Sequence, residues 1–137
     1  MAFILDASVA LSWLFADELT DWSAELLARA TEQGVVVPAH WSLETVNGAL
    51  MGERRGRVSA QVIARWLEQL SKLQIRLDPV NNTSVFKSVL PLCRKHRLTT
   101  YDAAYLELGS RLHLPLATFD KKLADAARSV GVDVVAA

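Results

Sequence analysis

Two kinds of block alternate along this chain. Unbroken apolar runs, Phe3-Ile4-Leu5 and Val35-Val36-Val37 and the stretch 114–118, show no polar alternation. Parallel strands covered on both faces read this way. Longer blocks carry apolar residues at helical spacing. Trp22, Leu26, Leu27 and Ala30 form the stripe of a helix that Thr20 or Asp21 opens and that runs through Gln33. Val62, Ile63, Trp66, Leu67 and Leu70 mark a helix capped by Ser59 and running to about Leu73. Ala103, Ala104, Leu106 and Leu108 mark another, capped by Thr99 or Thr100, beginning near Asp102 and reaching towards Leu112.

Further helices are predicted over 9–16, with Asp6 or Ser8 as cap, from Ser42 as cap to about Arg55, over 82–96, and over 121–130. Pro91 must start a new segment or kink the third of these. Gly34, Gly56 and Gly131 fall where helices stop. A short strand is expected over 75–80, interrupted by Pro79, and an edge strand over 132–135. Strands alternating with helices predict an α/β fold, three layers (α/β/α) around a central, mainly parallel sheet, in a single domain spanning 1–137.

Composition narrows the function. The chain is 51% hydrophobic, so a packed core is expected and disorder is not. Fifteen basic and fifteen acidic residues cancel, which removes any broad electrostatic attraction to nucleic acid but leaves room for a local basic rim. One cysteine, Cys93, allows no internal disulfide and no Cys-based metal site, which fits a reducing cytoplasm. The three histidines, His40, His96 and His113, lack metal-ligand spacing. The apolar stretch after Met1 contains Asp6 and no basic leader, so a signal peptide is not expected, and no apolar run is long enough to span a membrane.

Four acids share a positional logic. Asp6 and Asp120 each end a predicted strand, while Glu44 and Asp102 each sit in the first turn of a predicted helix. Right-handed β-α-β connections bring strand C-termini and these helix N-termini to one edge of the sheet, so all four can share a crevice. Clustered carboxylates repel and are costly to desolvate, which calls for a counter-charge, and a hard cation such as Mg²⁺ or Mn²⁺ takes oxygen ligands while keeping water. One or two such ions can generate hydroxide and steady a phosphorane-like centre in phosphodiester hydrolysis. Ser8, Asn47 and Thr118 are candidate neutral groups that orient the carboxylates. Taken singly, each acid has a plainer reading, as a helix cap or as a first-turn acid favoured by the helix dipole.

The stretches Leu5-Asp6-Ala7-Ser8-Val9-Ala10-Leu11, Leu43-Glu44-Thr45-Val46-Asn47-Gly48-Ala49-Leu50, Tyr101-Asp102-Ala103-Ala104-Tyr105-Leu106 and Leu116-Ala117-Thr118-Phe119-Asp120-Lys121-Lys122-Leu123 resemble, in order, the motifs of PIN-domain ribonucleases, and most of all VapC-type toxins of toxin–antitoxin pairs. The resemblance covers nearly the whole chain. It implies a PIN fold and a Mg²⁺-dependent endoribonuclease in which metal-bound water attacks phosphorus in structured RNA. Asp6 and Asp102 match the acids most directly tied to the metal, Glu44 and Asp120 the other two, and Ser8 and Thr118 the hydroxyls beside them. It also implies a homodimer silenced by a VapB-type antitoxin.

Arg54, Arg55 and Arg57 could grip RNA phosphate, or be cations favoured at a helix C-terminus. Lys121 and Lys122 could hold substrate near the pocket, although the preferred reading is surface lysines in a helix's first turn; the four tryptophans read as core or interface anchors, and Tyr101 and Tyr105 as core packing. Two rival functions stand beside the nuclease. A PIN-like domain could bind RNA or a partner without cutting. An aspartyl phosphatase would need a second Asp two residues after the first, where this chain has Ser8.

Overall fold

A computed structural model describes residues 1–136. Four parallel strands form one sheet in the order β3-β2-β1-β4. They are β1 (Phe3–Leu5), β2 (Val35–Pro38), β3 (Ile75–Asp78) and β4 (Leu116–Ala117). The register pairs Phe3 with Val35 and Ile4 with Val36 on one side of β1, and Ile4 with Leu116 and Leu5 with Ala117 on the other. Every residue of β1, β2 and β4 is buried, as the unbroken apolar runs require. β3 is the exposed edge, with Leu77 half open to solvent.

The chain steps outwards from β1 to β2 to β3 and then returns to the far side of β1 as β4. Strand order therefore reverses at β1, and the crevice outside its carboxyl end, between β1 and β4, is the switch point where parallel α/β sheets place their ligands.

The helices are α1 (Ala7–Ser12), α2 (Asp21–Gln33), α3 (Trp41–Arg54), α4 (Ala60–Ser71), α5 (Asn82–Ser84), α6 (Leu90–His96), α7 (Thr100–Leu112) and α8 (Lys121–Ser129). Thr20 begins α2 with a reciprocal cap, its hydroxyl accepting from Ser23 N–H while Thr20 N–H donates to the Ser23 hydroxyl. Ser59 and Thr99 cap α4 and α7 as predicted. Gly34 ends α2 at φ 77°, a left-handed backbone that a side chain resists. Trp66 Nε1 donates to the carbonyl of Ala10 at 2.9 Å and Trp13 Nε1 to that of Ser23 at 2.7 Å, so two tryptophans pin α4 and α2 to the α1 region.

Several boundaries depart from expectation. α1 starts at Ala7 and stops at Ser12, four residues short of the predicted end, and a 3₁₀ turn follows over Ala16–Glu18. Ser42 is not a cap: α3 begins at Trp41, and His40 stands at its N-cap with helical backbone and no side-chain bond. The predicted helix 82–96 is broken in three. Pro91 has no N–H, and its ring would crowd the carbonyl four residues back, so the turn before it widens to a π-segment over Val85–Val89 in which Leu90 N–H reaches Val85 O. The strand expected over 114–118 keeps two residues, and the one expected over 132–135 is a single parallel bridge from Val134 to Leu116. Asp78 ends β3 because Pro79 follows it.

Candidate active site

Asp6 leaves β1 at the switch point and occupies the N-cap position of α1, yet its side chain makes no capping bond. Its Oδ2 instead accepts two hydroxyl protons, from Ser8 Oγ at 2.6 Å and from Thr118 Oγ1 at 2.7 Å. The plain reading of Asp6 as a helix cap is thereby overturned. Each of those hydroxyls also accepts a backbone N–H from the loop after β4: Phe119 N to Ser8 Oγ at 3.1 Å, and Asp120 N to Thr118 Oγ1 at 3.0 Å. The two side chains thus tie the loop that carries Asp120 to the carboxylate that follows β1.

Tyr105 repeats the arrangement. Its hydroxyl accepts Ala7 N–H at 3.3 Å and donates to Glu44 Oε1 at 2.6 Å, joining the start of α1 to α3 through a ring that is fully buried. The expectation of core packing for Tyr105 accounts for its ring and misses its hydroxyl. A signal was present, since Tyr105 lies three residues after Asp102 and so on the same face of α7.

Asp102 sits in the first turn of α7, its N–H held by the Thr99 hydroxyl. Asp120 does cap α8, Oδ1 accepting Leu123 N–H at 3.1 Å. For Asp120 the plainer reading is realised, and the same residue also bears on the other acids. Asn47 is exposed on α3 and makes no hydrogen bond to any of the four acids among the described residues. Arg54 and Arg55 are exposed at the end of α3. Arg57 is committed elsewhere, paired with Asp17 and Glu18 and lying over the Phe15 ring at 4.0 Å.

Three of the four acids are shifted by burial and by their acidic neighbours. Burial lifts the Asp6 carboxyl above its ordinary range against the pull of Ser8 and Thr118, and Asp120 raises it further. Burial is again the main cause for Glu44, opposed by the Tyr105 bond and reinforced by Asp6 and Asp102. Asp102 is raised by burial and then by Asp6 and Asp120, with Thr99 and Lys122 offsetting. Burial lowers the pKa of His40, whose Nε2 lies 3.9 Å from Glu44, so at neutral pH it is not a counter-ion. Among the described residues no lysine or arginine forms an ion pair with any of the four.

One buried and two half-buried carboxylates that raise one another, with only Lys122 near enough to offset one of them, suit a divalent metal. Among the described residues no three His, Cys, Asp or Glu side chains close into a cage around one point. The donor set therefore fits a hard ion that retains most of its water and takes one or two carboxylates directly, as Mg²⁺ does. It does not fit a zinc-like site of packed protein ligands.

A parallel sheet with carboxylates gathered at its switch point defines an α/β protein with an acidic crevice. The chain belongs to the PIN domain family, which it matches over residues 3–129. It is 27% identical over 125 residues to ribonuclease VapC3 of Pyrobaculum aerophilum, covering 91% of this chain and 94% of that protein. The crystal structure of PAE2754 from Pyrobaculum aerophilum superposes with a TM-score of 0.70 at 22% identity, over 98% of this chain and 84% of the other, which shows the shared fold. No helix among the described residues is long and apolar enough to cross a membrane.

Proposed function

We propose that this protein is a VapC-type toxin, a single PIN domain that acts as a Mg²⁺-dependent endoribonuclease on structured RNA. Family membership and the likeness to a ribonuclease VapC support the reading. The observation that carries it is the wiring of the hydroxyls: Ser8, Thr118 and Tyr105 each take a backbone N–H and spend their one proton on a site carboxylate. Such a network holds Asp6 and Glu44 as acceptors, the form that binds a cation, despite burial that disfavours it.

In this reading Asp6 and Asp102 would hold the ion, with Mn²⁺ as a substitute for Mg²⁺, while Glu44 and Asp120 would complete the charge of the pocket. When bound, the ion supplies Lewis acidity at the scissile phosphate and a counter-charge for the pocket. Ser8 and Thr118 keep Asp6 in one rotamer, and Tyr105 does the same for Glu44. Water attacks phosphorus, an ester P–O bond breaks, a carboxylate with a raised pKa, Glu44 foremost, accepts the water's proton, and the departing ester oxygen leaves as an alcohol with a proton from solvent. Exposed Arg54 and Arg55 contact RNA phosphate. By analogy with VapC toxins the protein works in the cytoplasm as a homodimer and is silenced by a VapB-type antitoxin.

The test is cleavage of RNA with Asp6→Asn and Asp102→Asn. Each variant is expected to fold and to lose at least 100-fold in cleavage rate, and EDTA is expected to abolish wild-type cleavage until Mg²⁺ is restored. Undiminished cleavage by both variants would sink the assignment, and cleavage that survives EDTA would remove the metal from it.

A further inference from the structure

The chain is electrically neutral, yet its cations are not evenly spread around the acidic crevice. The last turn of α6 carries Arg94, Lys95 and His96, and Arg97 follows as its C-cap. The first turn of α8 begins with Lys121 and Lys122. These two ends are in contact: Lys122 Nζ donates to the carbonyl of Arg97 at 2.7 Å, and His96, Lys121 and Lys122 line one open cleft. Five full positive charges therefore lie on two adjoining helix ends.

Three of the other arginines are neutralised, while Arg29, Arg54, Arg55, Arg65 and Arg76 form no ion pair among the described residues. Arg57 pairs with Asp17 and Glu18, Arg111 with Asp78, and Arg128 with Asp125. None of Arg94, Lys95, Arg97, Lys121 or Lys122 pairs with a carboxylate among the described residues. Asp125 reaches the same cleft, but its charge is already met by Arg128. His96, which lines the cleft, keeps its Nε2 buried with no hydrogen-bond partner among the described residues.

The strip adjoins the proposed reaction centre. Asp120, which caps α8, directly precedes Lys121, and Arg97 lies two residues before the Thr99 cap of the helix that carries Asp102. Lys122 is close enough for its charge to act on Asp102. A polyanion whose scissile phosphate lies among the acids can thus continue along one side onto unpaired cations. We infer that the α6–α8 strip of Arg97, Lys121 and Lys122, with Arg94 and Lys95 beside it, binds the phosphate backbone of single-stranded RNA next to the cleavage site. The inference rests on the ribonuclease reading for the identity of the polyanion. Such contacts position the substrate and carry no sequence information.

The experiment measures binding of a fluorescein-labelled, mixed-sequence 20-nucleotide RNA by anisotropy, in EDTA, across a salt series. Three proteins are compared, all carrying Asp6→Asn to suppress cutting: the parent, the triple variant R97Q/K121Q/K122Q, and the control triple R65Q/K72Q/R76Q. The control removes the same charge from exposed cations on and beside α4 and on β3. Each single-strand phosphate that is no longer neutralised should reduce the slope of log K against log salt by about 0.7, so the strip variant should lose about 2 from that slope and at least 10-fold in affinity near 0.1 M salt. The control should change affinity less than 3-fold.

Equal weakening by the two triples, or an unchanged slope in the strip variant, overturns the inference. Displacement of the RNA by a poly-glutamate 20-mer at equal concentration also overturns it, and assigns the strip to an acidic protein segment. Cleavage by the protein without Asp6→Asn, assayed with Mg²⁺, keeps the two readings apart. Cleavage with an intact strip-variant slope removes only the strip, whereas a lost slope without cleavage leaves an RNA-binding strip and removes the ribonuclease.

Discussion

A hydroxyl has one proton to give, and its destination reports the charge of the neighbour that receives it. Ser8, Thr118 and Tyr105 all give theirs to site carboxylates after accepting a backbone N–H. Removing any one of them loosens an acid, and removing the Tyr105 hydroxyl also orphans a buried amide. Tyr105→Phe leaves Ala7 N–H buried without a partner, so a stability loss of about 1–3 kcal/mol is expected in urea denaturation. The same change frees Glu44 to turn, and cleavage should fall roughly 10- to 100-fold, as when other supports of a metal ligand are removed. Ser8→Ala and Thr118→Val should weaken Mg²⁺ binding over the same range, measured as the Mg²⁺ concentration that gives half-maximal cleavage. Asn47→Ala, on an exposed face with no bond to the acids, should change cleavage less than about 2-fold, since surface changes away from such features are usually small.

At the scale of elements, the approach of α3 to α1 is set by two small residues one turn apart. A Cβ on Gly52 would lie 2.4 Å from the Phe15 ring, and one on Gly48 would lie 2.5 Å from Leu11 Cδ1. Helix propensity by itself would make Gly52→Ala stabilising by about 1 kcal/mol. Packing reverses the sign. Phe15 is held under the Arg57 guanidinium, so its ring has little freedom to yield, and Gly52→Ala should destabilise by about 1–3 kcal/mol in thermal or urea unfolding. A higher melting temperature for this variant would show that Phe15 and α3 separate without penalty. Because Glu44 rides on α3 and Asp6 opens α1, the same variant should also lose cleavage.

At the scale of the whole molecule, the acidic crevice carries a cost in stability. Asp6, Glu44 and Asp102 have raised pKa values in the fold, so between the ordinary carboxyl values of 3.8 and 4.5 and the raised ones the native state holds more protons than the unfolded state. Stability of the metal-free protein therefore falls as pH rises through that window, and the full penalty is present only above the raised values. Below the ordinary values it vanishes. In EDTA at pH 7, Asp6→Asn should melt above the wild type by a few degrees, since about 1 kcal/mol moves the midpoint of a domain this size by roughly 3–6 °C. Raising Mg²⁺ should lift the wild type and leave Asp6→Asn nearly unmoved, because only a protein that binds the ion when folded gains from it. A wild type that melts no higher in Mg²⁺ than in EDTA would remove the metal reading.

Much of this is legible along the chain itself. Unbroken apolar runs mark β1 and β2, caps and glycines mark α2, α4 and α7, and the alternation of the two marks a parallel α/β sheet. Asp6, Glu44, Asp102 and Asp120 can be picked out because strand ends and helix starts at one sheet edge are a matter of chain direction alone. Side-chain direction is not contained in that logic. Asp6 and Asp120 both stand at N-caps, yet one turns away to two hydroxyls and the other closes its helix. Spacing places Asn47 beside the acids, and the rotation of α3 puts it in solvent. Local pattern determined which elements form and which acids reach the switch point, because strand and helix periodicity and capping are short-range effects. Only the tertiary structure decided where Tyr105 spends its proton, which arginines are already paired, and that α6 and α8 bring Arg97 and Lys122 together, because those contacts join residues that lie far apart along the chain.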